Sequence, residues 1–107
     1  MSVLLPLLLP LLFLAPPAHA ESDGGAGAVS SLTTLTSSSS SYAYWHAKIV
    51  IGGVAFYTGG RACSGVGELS ETDLLVLDTA MHESLLVNPW YQPSGSYLCL
   101  TTFRIYG

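Results

Sequence analysis

The sequence predicts a mainly β domain over residues 42–107, and two stretches carry that prediction. Residues 49–57 are rich in β-branched and aromatic side chains and are interrupted by a pair of glycines, which is typical of two short strands or of one bulged strand. Residues 98–106 show the two-residue alternation of a further strand. That alternation puts four side chains on one face: Cys99, Thr101, Phe103 and Ile105.

Residues 1–20 have the pattern of a secretory signal peptide. A leucine-rich core, Leu4–Leu14, is followed by Ala18-His19-Ala20, the small-residue pattern that signal peptidase cleaves. The apolar run is shorter than the roughly 20 residues that a membrane-spanning helix needs. The mature protein is therefore predicted to begin at Glu21 and to lie outside the cell, without a membrane partner after cleavage.

Residues 21–41 are composed mainly of Gly, Ala, Ser and Thr and end in the serine run Ser37–Ser41. Such a segment has few side chains to bury and cannot offset the entropy that ordering costs. It is predicted to be a flexible arm. Two uses of its hydroxyls stay open, an O-glycosylated spacer and an undecorated tail.

The charge of the chain argues against two classes of partner. The formal net charge is −4, and the three basic side chains, Lys48, Arg61 and Arg104, are scattered along the sequence. A protein that binds nucleic acid neutralises phosphates with clustered Lys and Arg. Neither nucleic acid nor an anionic membrane surface is therefore predicted as a partner.

The centre of the chain is less regular. Residues 68–83 hold most of the acidic side chains, which predicts a solvated rim. The short apolar run Leu74–Leu77 is typical of a strand buried on both faces. Residues 78–86 could form one or two helical turns, and residues 88–97 are predicted to be a loop because they contain two prolines and a glycine.

Four short elements follow one another along the second half of the chain: Gly53–Tyr57, Gly60–Cys63, Thr72–Leu77, and Asn88-Pro89 followed by Cys99. In order and type they resemble the G-x-A-T-x-Y, G-A-C-G, S-D-x-V-V-A-L and N-P-x-C-G elements of the RlpA-like double-psi β-barrel family, which includes expansins and barwin-like proteins. The barrel of that family has six strands. Because the elements of its second half have no match here, the resemblance implies a partial or truncated barrel over residues 42–107.

The resemblance also bears on the two cysteines. In the family the cysteine of the G-A-C-G element is oxidised, which implies that Cys63 forms a disulfide and leaves Cys99 as its partner. A bridge over so long a loop would stabilise the domain by about 4 kcal/mol in the chain-entropy model. Two buried free thiols are the alternative.

Catalytic and metal-binding roles find little support. Relatives that hydrolyse glycans use a pair of carboxylates. Only Asp73 matches a family carboxylate, at a position where the side chain looks structural, so we predict no catalytic residue and no enzymatic activity. His46 and His82 have no further ligands at the spacing of a metal site, and we predict neither a metal nor another cofactor.

Aromatic side chains are the predicted ligand contacts. Trp90, Tyr91 and Tyr97 fall on the predicted loop, with Trp90 and Tyr91 as its anchors, and Tyr57 falls on a predicted strand. Exposed rings offer an apolar face to a sugar ring, and a phenol or indole group can hydrogen-bond the edge of the sugar. The alternative is that these rings cover the core of an incomplete barrel.

Three functions agree with these observations. The first is a secreted, non-catalytic, expansin-like module that binds cell-wall polysaccharide. The second is a small secreted protein that binds an extracellular protein, as an effector or an inhibitor does. The third is a truncated fragment of a glycan-cleaving enzyme.

Overall fold

The computed structural model of the protein describes residues 21–106, which form a mainly β fold with one long α-helix. The strands are β1 (Ser22–Asp23), β2 (Gly27–Thr34), β3 (Ala47–Ile51), β4 (Val54–Thr58), β5 (Leu86–Ser94) and β6 (Tyr97–Tyr106), and the helix is α1 (Glu71–His82). The predicted signal peptide, residues 1–20, lies outside this range. No helix within residues 21–106 has the length and hydrophobicity needed to cross a membrane.

Five strands close into a barrel in the order β2–β3–β4–β6–β5, and β5 returns to pair with β2. The β4–β6 pairing is parallel and the others are antiparallel, so the barrel is mixed. This confirms the predicted β-barrel class and is compatible with a double-psi barrel. Closure takes one strand fewer than the six that the resemblance implies.

The interior of the barrel is apolar and is completed by α1. Leu77 and Ala80 of the helix are fully buried against the barrel, whereas Leu75 and Val76 face solvent. The buried core consists of Val29, Ala47, Ile49, Ile51, Phe56, Leu69, Leu77, Ala80, Val87 and Leu100. Since these residues come from all five barrel strands, the helix and the segment before it, the core depends on long-range contacts.

Strand β2 corrects the prediction of a flexible arm over residues 21–41. It pairs with β3 on one side and with β5 on the other. The register shifts between Val29 and Ser31, which makes Ser30 the bulged residue. Because of this bulge Val29 and Leu32, three residues apart, both face the core. The strand therefore lacks the regular alternation by which a sequence reveals a strand.

The short strand β1 lies beside β5 and is held by a side-chain contact. Asn88 Nδ2 donates to Asp23 Oδ1 at 2.7 Å, and the backbone N–H of Gly25 donates to the same oxygen at 2.8 Å. These two hydrogen bonds hold the pKa of the Asp23 carboxyl below its ordinary value. The first residues of the described chain are thus tied to the barrel.

Two glycine turns set the register of the hairpins. Gly52 and Gly53 join β3 to β4 with φ of 59° and 82°, the backbone of a type I′ turn. Of the two predicted alternatives, the structure therefore shows two strands and not one bulged strand. Gly95, with φ of 60°, opens the two-residue turn between β5 and β6. Turns with positive φ match the right-handed twist of the strands that they join.

Strand β5 corrects the prediction that residues 88–97 form a loop. Pro89 O accepts from the N–H of Gly24 on the side away from β6. In an antiparallel strand the nitrogen and oxygen of one residue point to the same side, so the missing N–H of Pro89 costs no bond to β6. Pro93, four residues further, has the same orientation. The prolines are therefore compatible with a strand.

Strand β6 also differs from the sequence pattern. Trp90 pairs with Thr102 and Tyr91 pairs with Leu100, so Thr101 is a bulged residue, and its hydroxyl donates to Trp90 O at 3.1 Å. After the bulge the alternation changes phase. Inward side chains are Leu98 and Leu100 before it and Phe103 and Ile105 after it. The prediction that Cys99 shares a face with Phe103 and Ile105 is wrong, because Cys99 lies on the outer side.

Helix α1 replaces the strand predicted at Leu74–Leu77. Its N-terminus is a capping box, in which Ser70 Oγ accepts from the N–H of Asp73 and Asp73 Oδ2 accepts from the N–H of Ser70, each at 3.1 Å. The capping box starts the helix, and burial of Leu77 stabilises it against the barrel. Short apolar runs cannot distinguish a buried strand from a buried stretch of helix.

Replacing Ser70 with alanine is expected to lower the free energy of unfolding by about 1 kcal/mol, because the N–H of Asp73 loses its acceptor. Urea unfolding followed by circular dichroism measures this. Ser64→Ala, the same change at an exposed position outside the helix, should leave the midpoint unchanged. Equal losses in both variants would show that the capping box contributes nothing.

Candidate ligand-binding site

Three aromatic side chains contact one another in succession on the outer wall of the barrel. The rings of Trp45 and Tyr57 meet edge to face at 5.5 Å between centroids, and those of Tyr57 and Tyr97 do so at 4.8 Å. Each of the three is half-buried. We call these residues the aromatic cluster.

The barrel strands bring the cluster together. Tyr57 lies in β4 between the buried Phe56 and Thr58, so its ring points outward. The parallel pairing of β4 with β6 sets Tyr57 beside Cys99, and Tyr97 precedes Cys99 by two residues on the same face. The ring of Tyr97 therefore reaches Tyr57 from the neighbouring strand.

A loop after β4 positions the third ring. The N–H of Arg61 donates to Ala43 O at 3.1 Å, and the N–H of Ala62 donates to Tyr44 O at 2.8 Å. These bonds fix the backbone directly before Trp45. Gly60 permits the approach, since it has a φ of 72° and a Cβ there would lie 2.5 Å from the backbone of Tyr44.

A disulfide joins Cys63 and Cys99, as the resemblance implied, and spans 36 residues with Cα atoms 5.7 Å apart. Both cysteines are buried. Because Cys99 pairs with Tyr57 in the sheet, the bridge fastens the loop that carries Cys63 to the wall beside the aromatic cluster. The disulfide therefore stabilises the site as well as the domain.

Two basic side chains lie beside aromatic rings on this part of the surface. Lys48 is directly opposite Tyr57 in the β3–β4 hairpin, and its Nζ is 6.0 Å from the centroid of the ring. Arg61 Cζ is 5.5 Å from the ring of Tyr44. These distances suit weak cation–π contacts. The site thus combines apolar ring faces with phenol, indole and ammonium donors, a set suited to binding a hydroxyl-rich ligand.

The structure separates the four residues predicted as ligand contacts. Tyr57 and Tyr97 meet in the aromatic cluster. Tyr91 packs against the core with its ring 5.6 Å from that of Phe56, as the core-covering alternative states. Trp90 is half-buried and points outward, but it lies four residues along β5 from the partner of Tyr97, about 13 Å at the rise of a strand.

Sequence reasoning counted Trp45 among five aromatic side chains in excess of what a small core needs, but it assigned neither Trp45 nor Lys48 to the site. Trp45 stands out only as one aromatic residue among several, and no local pattern indicates that positions 45, 57 and 97 meet. Their contact requires the β3–β4 hairpin and the parallel β4–β6 pairing together. Only the topology of the barrel supplies that information.

The acidic and histidine side chains have roles other than contributing to the aromatic cluster. The carboxylate of Asp73 accepts the N–H of Ser70 in the capping box, which is the structural role that the resemblance implied. His46 Nδ1 lies 2.8 Å from Glu68 Oε2. Among the residues that the structure describes, no three His, Cys, Asp or Glu side chains are grouped so that they could hold a metal ion.

No protein-family model, curated protein or solved structure matches this chain. The fold class rests on the closed, mixed five-stranded barrel. The candidate site rests on the geometry of the aromatic cluster and on the disulfide beside it.

Proposed function

We propose that the protein is a secreted, non-catalytic module of the expansin-like, RlpA-related kind, and that it binds cell-wall polysaccharide through the aromatic cluster. The observation that carries the proposal is the chain of contacts among Trp45, Tyr57 and Tyr97 on the outer wall of the barrel. Three adjoining half-buried rings, set edge to face, form an apolar patch against which the C–H face of a sugar can pack.

The arrangement of the polar groups agrees with a sugar ligand. Tyrosine hydroxyls, the indole N–H and the Lys48 ammonium can hydrogen-bond hydroxyls at the edge of a sugar while its C–H face lies on a ring. Stacking of a nucleic-acid base on an aromatic ring is worth about 1–3 kcal/mol, and a sugar face is expected to gain an amount at the low end of that range.

The location outside the cell is supported by the disulfide, because such bonds form and persist in oxidising compartments. Two of the family-like elements also adjoin in space, since β4 and the loop carrying Cys63 both border the aromatic cluster. The third element, predicted as a strand, lies in α1. The proposal that the module is RlpA-related therefore rests on the barrel, on β4 and on the loop that carries Cys63.

The test is a pull-down on insoluble cellulose, chitin and peptidoglycan with a matched pair of variants in β6. Tyr97→Ala removes one ring of the cluster and is expected to weaken retention about tenfold, the equivalent of about 1.4 kcal/mol. Tyr106→Ala removes a tyrosine of the same strand that is 38% exposed and lies outside the cluster, and it should bind as the unchanged protein does.

Two further readouts complete this experiment. Thermal unfolding of both variants shows whether the loss of binding is separate from a loss of structure. Reducing-sugar release in the same incubations is expected to equal that of buffer. Retention of the unchanged protein on none of the three polymers, or equal retention of Tyr97→Ala and the unchanged protein, would overturn the proposal.

A further inference from the structure

A second concave site lies between α1 and the end of β2. It is an open cavity of about 690 Å³, within the range of ligand pockets. Its apolar lining consists of five leucines: Leu32, Leu35, Leu69, Leu74 and Leu75. We call this cavity the leucine groove, and it shares no residue with the aromatic cluster. Leu75 is 67% exposed, so a ligand in the groove can reach its side chain.

One wall of the groove is held in place by a side-chain assembly. The imidazole of His46 stacks on the ring of Tyr42, with centroids 3.9 Å apart and planes at 15°, and its Nδ1 contacts Glu68 Oε2 at 2.8 Å. Gly59 leaves room for this pair, since a Cβ at that position would collide with the imidazole. The wall is therefore formed before any ligand arrives.

The polar rim of the groove is acidic. Glu68, Glu71 and Asp78 line it. Glu68 is paired with His46, and Asp78 lies 3.5 Å from His82, but no basic side chain within residues 21–106 lies at ion-pair distance from Glu71. An apolar floor with a negative rim favours a ligand that is apolar and positively charged at once.

The basic side chains of the chain lie elsewhere. Lys48, Arg61 and Arg104 each sit beside a tyrosine ring outside the groove. No lysine or arginine of residues 21–106 therefore neutralises Glu71, and a cationic partner can do so.

We propose that the leucine groove binds a cationic amphipathic peptide segment of another protein. Apolar side chains of the segment would cover Leu74 and Leu75, and a lysine or arginine would lie at Glu71. Burying apolar surface supplies most of the affinity, and the carboxylates select the sign of the charge. Acidic peptides are excluded by repulsion at the same rim.

Fluorescence anisotropy with three labelled peptides of equal length tests the ligand class. An alternating leucine–lysine peptide is expected to bind, and added salt should weaken it, because exposed charges are screened. A leucine–glutamate peptide should not bind. If a serine–lysine peptide binds as tightly as the leucine–lysine one, the groove is only an acidic surface and the proposal fails.

Two matched pairs of variants locate the site. Leu75→Ser is expected to weaken the leucine–lysine peptide about tenfold, whereas Val76→Ser, a neighbouring exposed position outside the groove, should not. Glu71→Gln is expected to weaken binding about threefold, as a surface ion pair allows, and Glu83→Gln should not.

Circular dichroism of each variant verifies that α1 stays folded. Equal losses in Leu75→Ser and Val76→Ser would mean that the peptide adheres to the helix in general, which overturns the proposal. So would unchanged binding in Leu75→Ser. Retention on polysaccharide, measured on the same variants, should stay unchanged, since the groove and the aromatic cluster share no residue.

Discussion

Replacing Cys63 and Cys99 with alanine is expected to lower the free energy of unfolding by about 4 kcal/mol. The bridge spans 36 residues, and opening it returns the loop-closure entropy of that segment to the unfolded chain. Small domains are stable by only about 5–15 kcal/mol in total, so the loss takes a large share. Urea unfolding followed by intrinsic fluorescence measures it.

A reductant provides an independent check of how much the disulfide contributes to stability. Adding dithiothreitol to the unchanged protein should move its urea midpoint to that of the double variant, and it should not move the midpoint of the double variant itself. Coincident midpoints of the unchanged protein with and without reductant, once thiol titration shows that the bond is open, would contradict the prediction.

Gly60→Ala is expected to destabilise the protein by about 3 kcal/mol or more. Two costs combine there. A non-glycine residue at a φ of 72° costs about 1–2 kcal/mol. In addition, the new Cβ would lie 2.5 Å from backbone atoms of Tyr44, which cannot turn away as a flexible side chain would. Thermal and urea unfolding report the sum.

Gly65→Ala is the matched control, because it isolates the first of these costs. Gly65 has a φ of 84° in the same loop, but a Cβ there would meet no atom within 4 Å. It should lose about 1–2 kcal/mol only. Equal losses in the two variants would show that the close approach to Tyr44 is relieved by a shift of the loop.

The Gly60 variant also connects stability to the proposed function. The backbone that its Cβ would displace runs directly into Trp45, the first ring of the aromatic cluster. At a temperature where Gly60→Ala is still folded, it should retain less polysaccharide than Gly65→Ala. This difference follows from displacement of the ring rather than from unfolding.

The local sequence was informative where one strong signal acts within a few residues. The glycine pair Gly52-Gly53 between two β-rich runs indicated a break that the structure shows as a type I′ hairpin. The resemblance placed Cys63 in a disulfide, and Cys99 was the other cysteine of the chain. The β-rich runs indicated the mainly β class, whereas the barrel was implied by the resemblance to the RlpA-like family.

Tertiary structure overrode the local signals in residues 27–34 and in the run Leu74–Leu77. The serine- and threonine-rich stretch forms β2 because it pairs with β3 on one edge and with β5 on the other, and because a bulge places both Val29 and Leu32 on the core side. The apolar run Leu74–Leu77 became helix because the capping box of Ser70 started α1 and the barrel covered one helix face.

What the sequence by itself determined, then, is the presence of strands in residues 49–57 and 98–106 and the break at the glycine pair within the first stretch. Only the tertiary structure decided which rings meet. Tyr57 and Tyr97 were candidates by residue type, but their contact with each other and with Trp45 depends on the parallel β4–β6 pairing. Tyr91 instead packs against Phe56 in the core. The physical reason is that a strand's alternation specifies two faces, whereas its partners and bulges specify which face is inside.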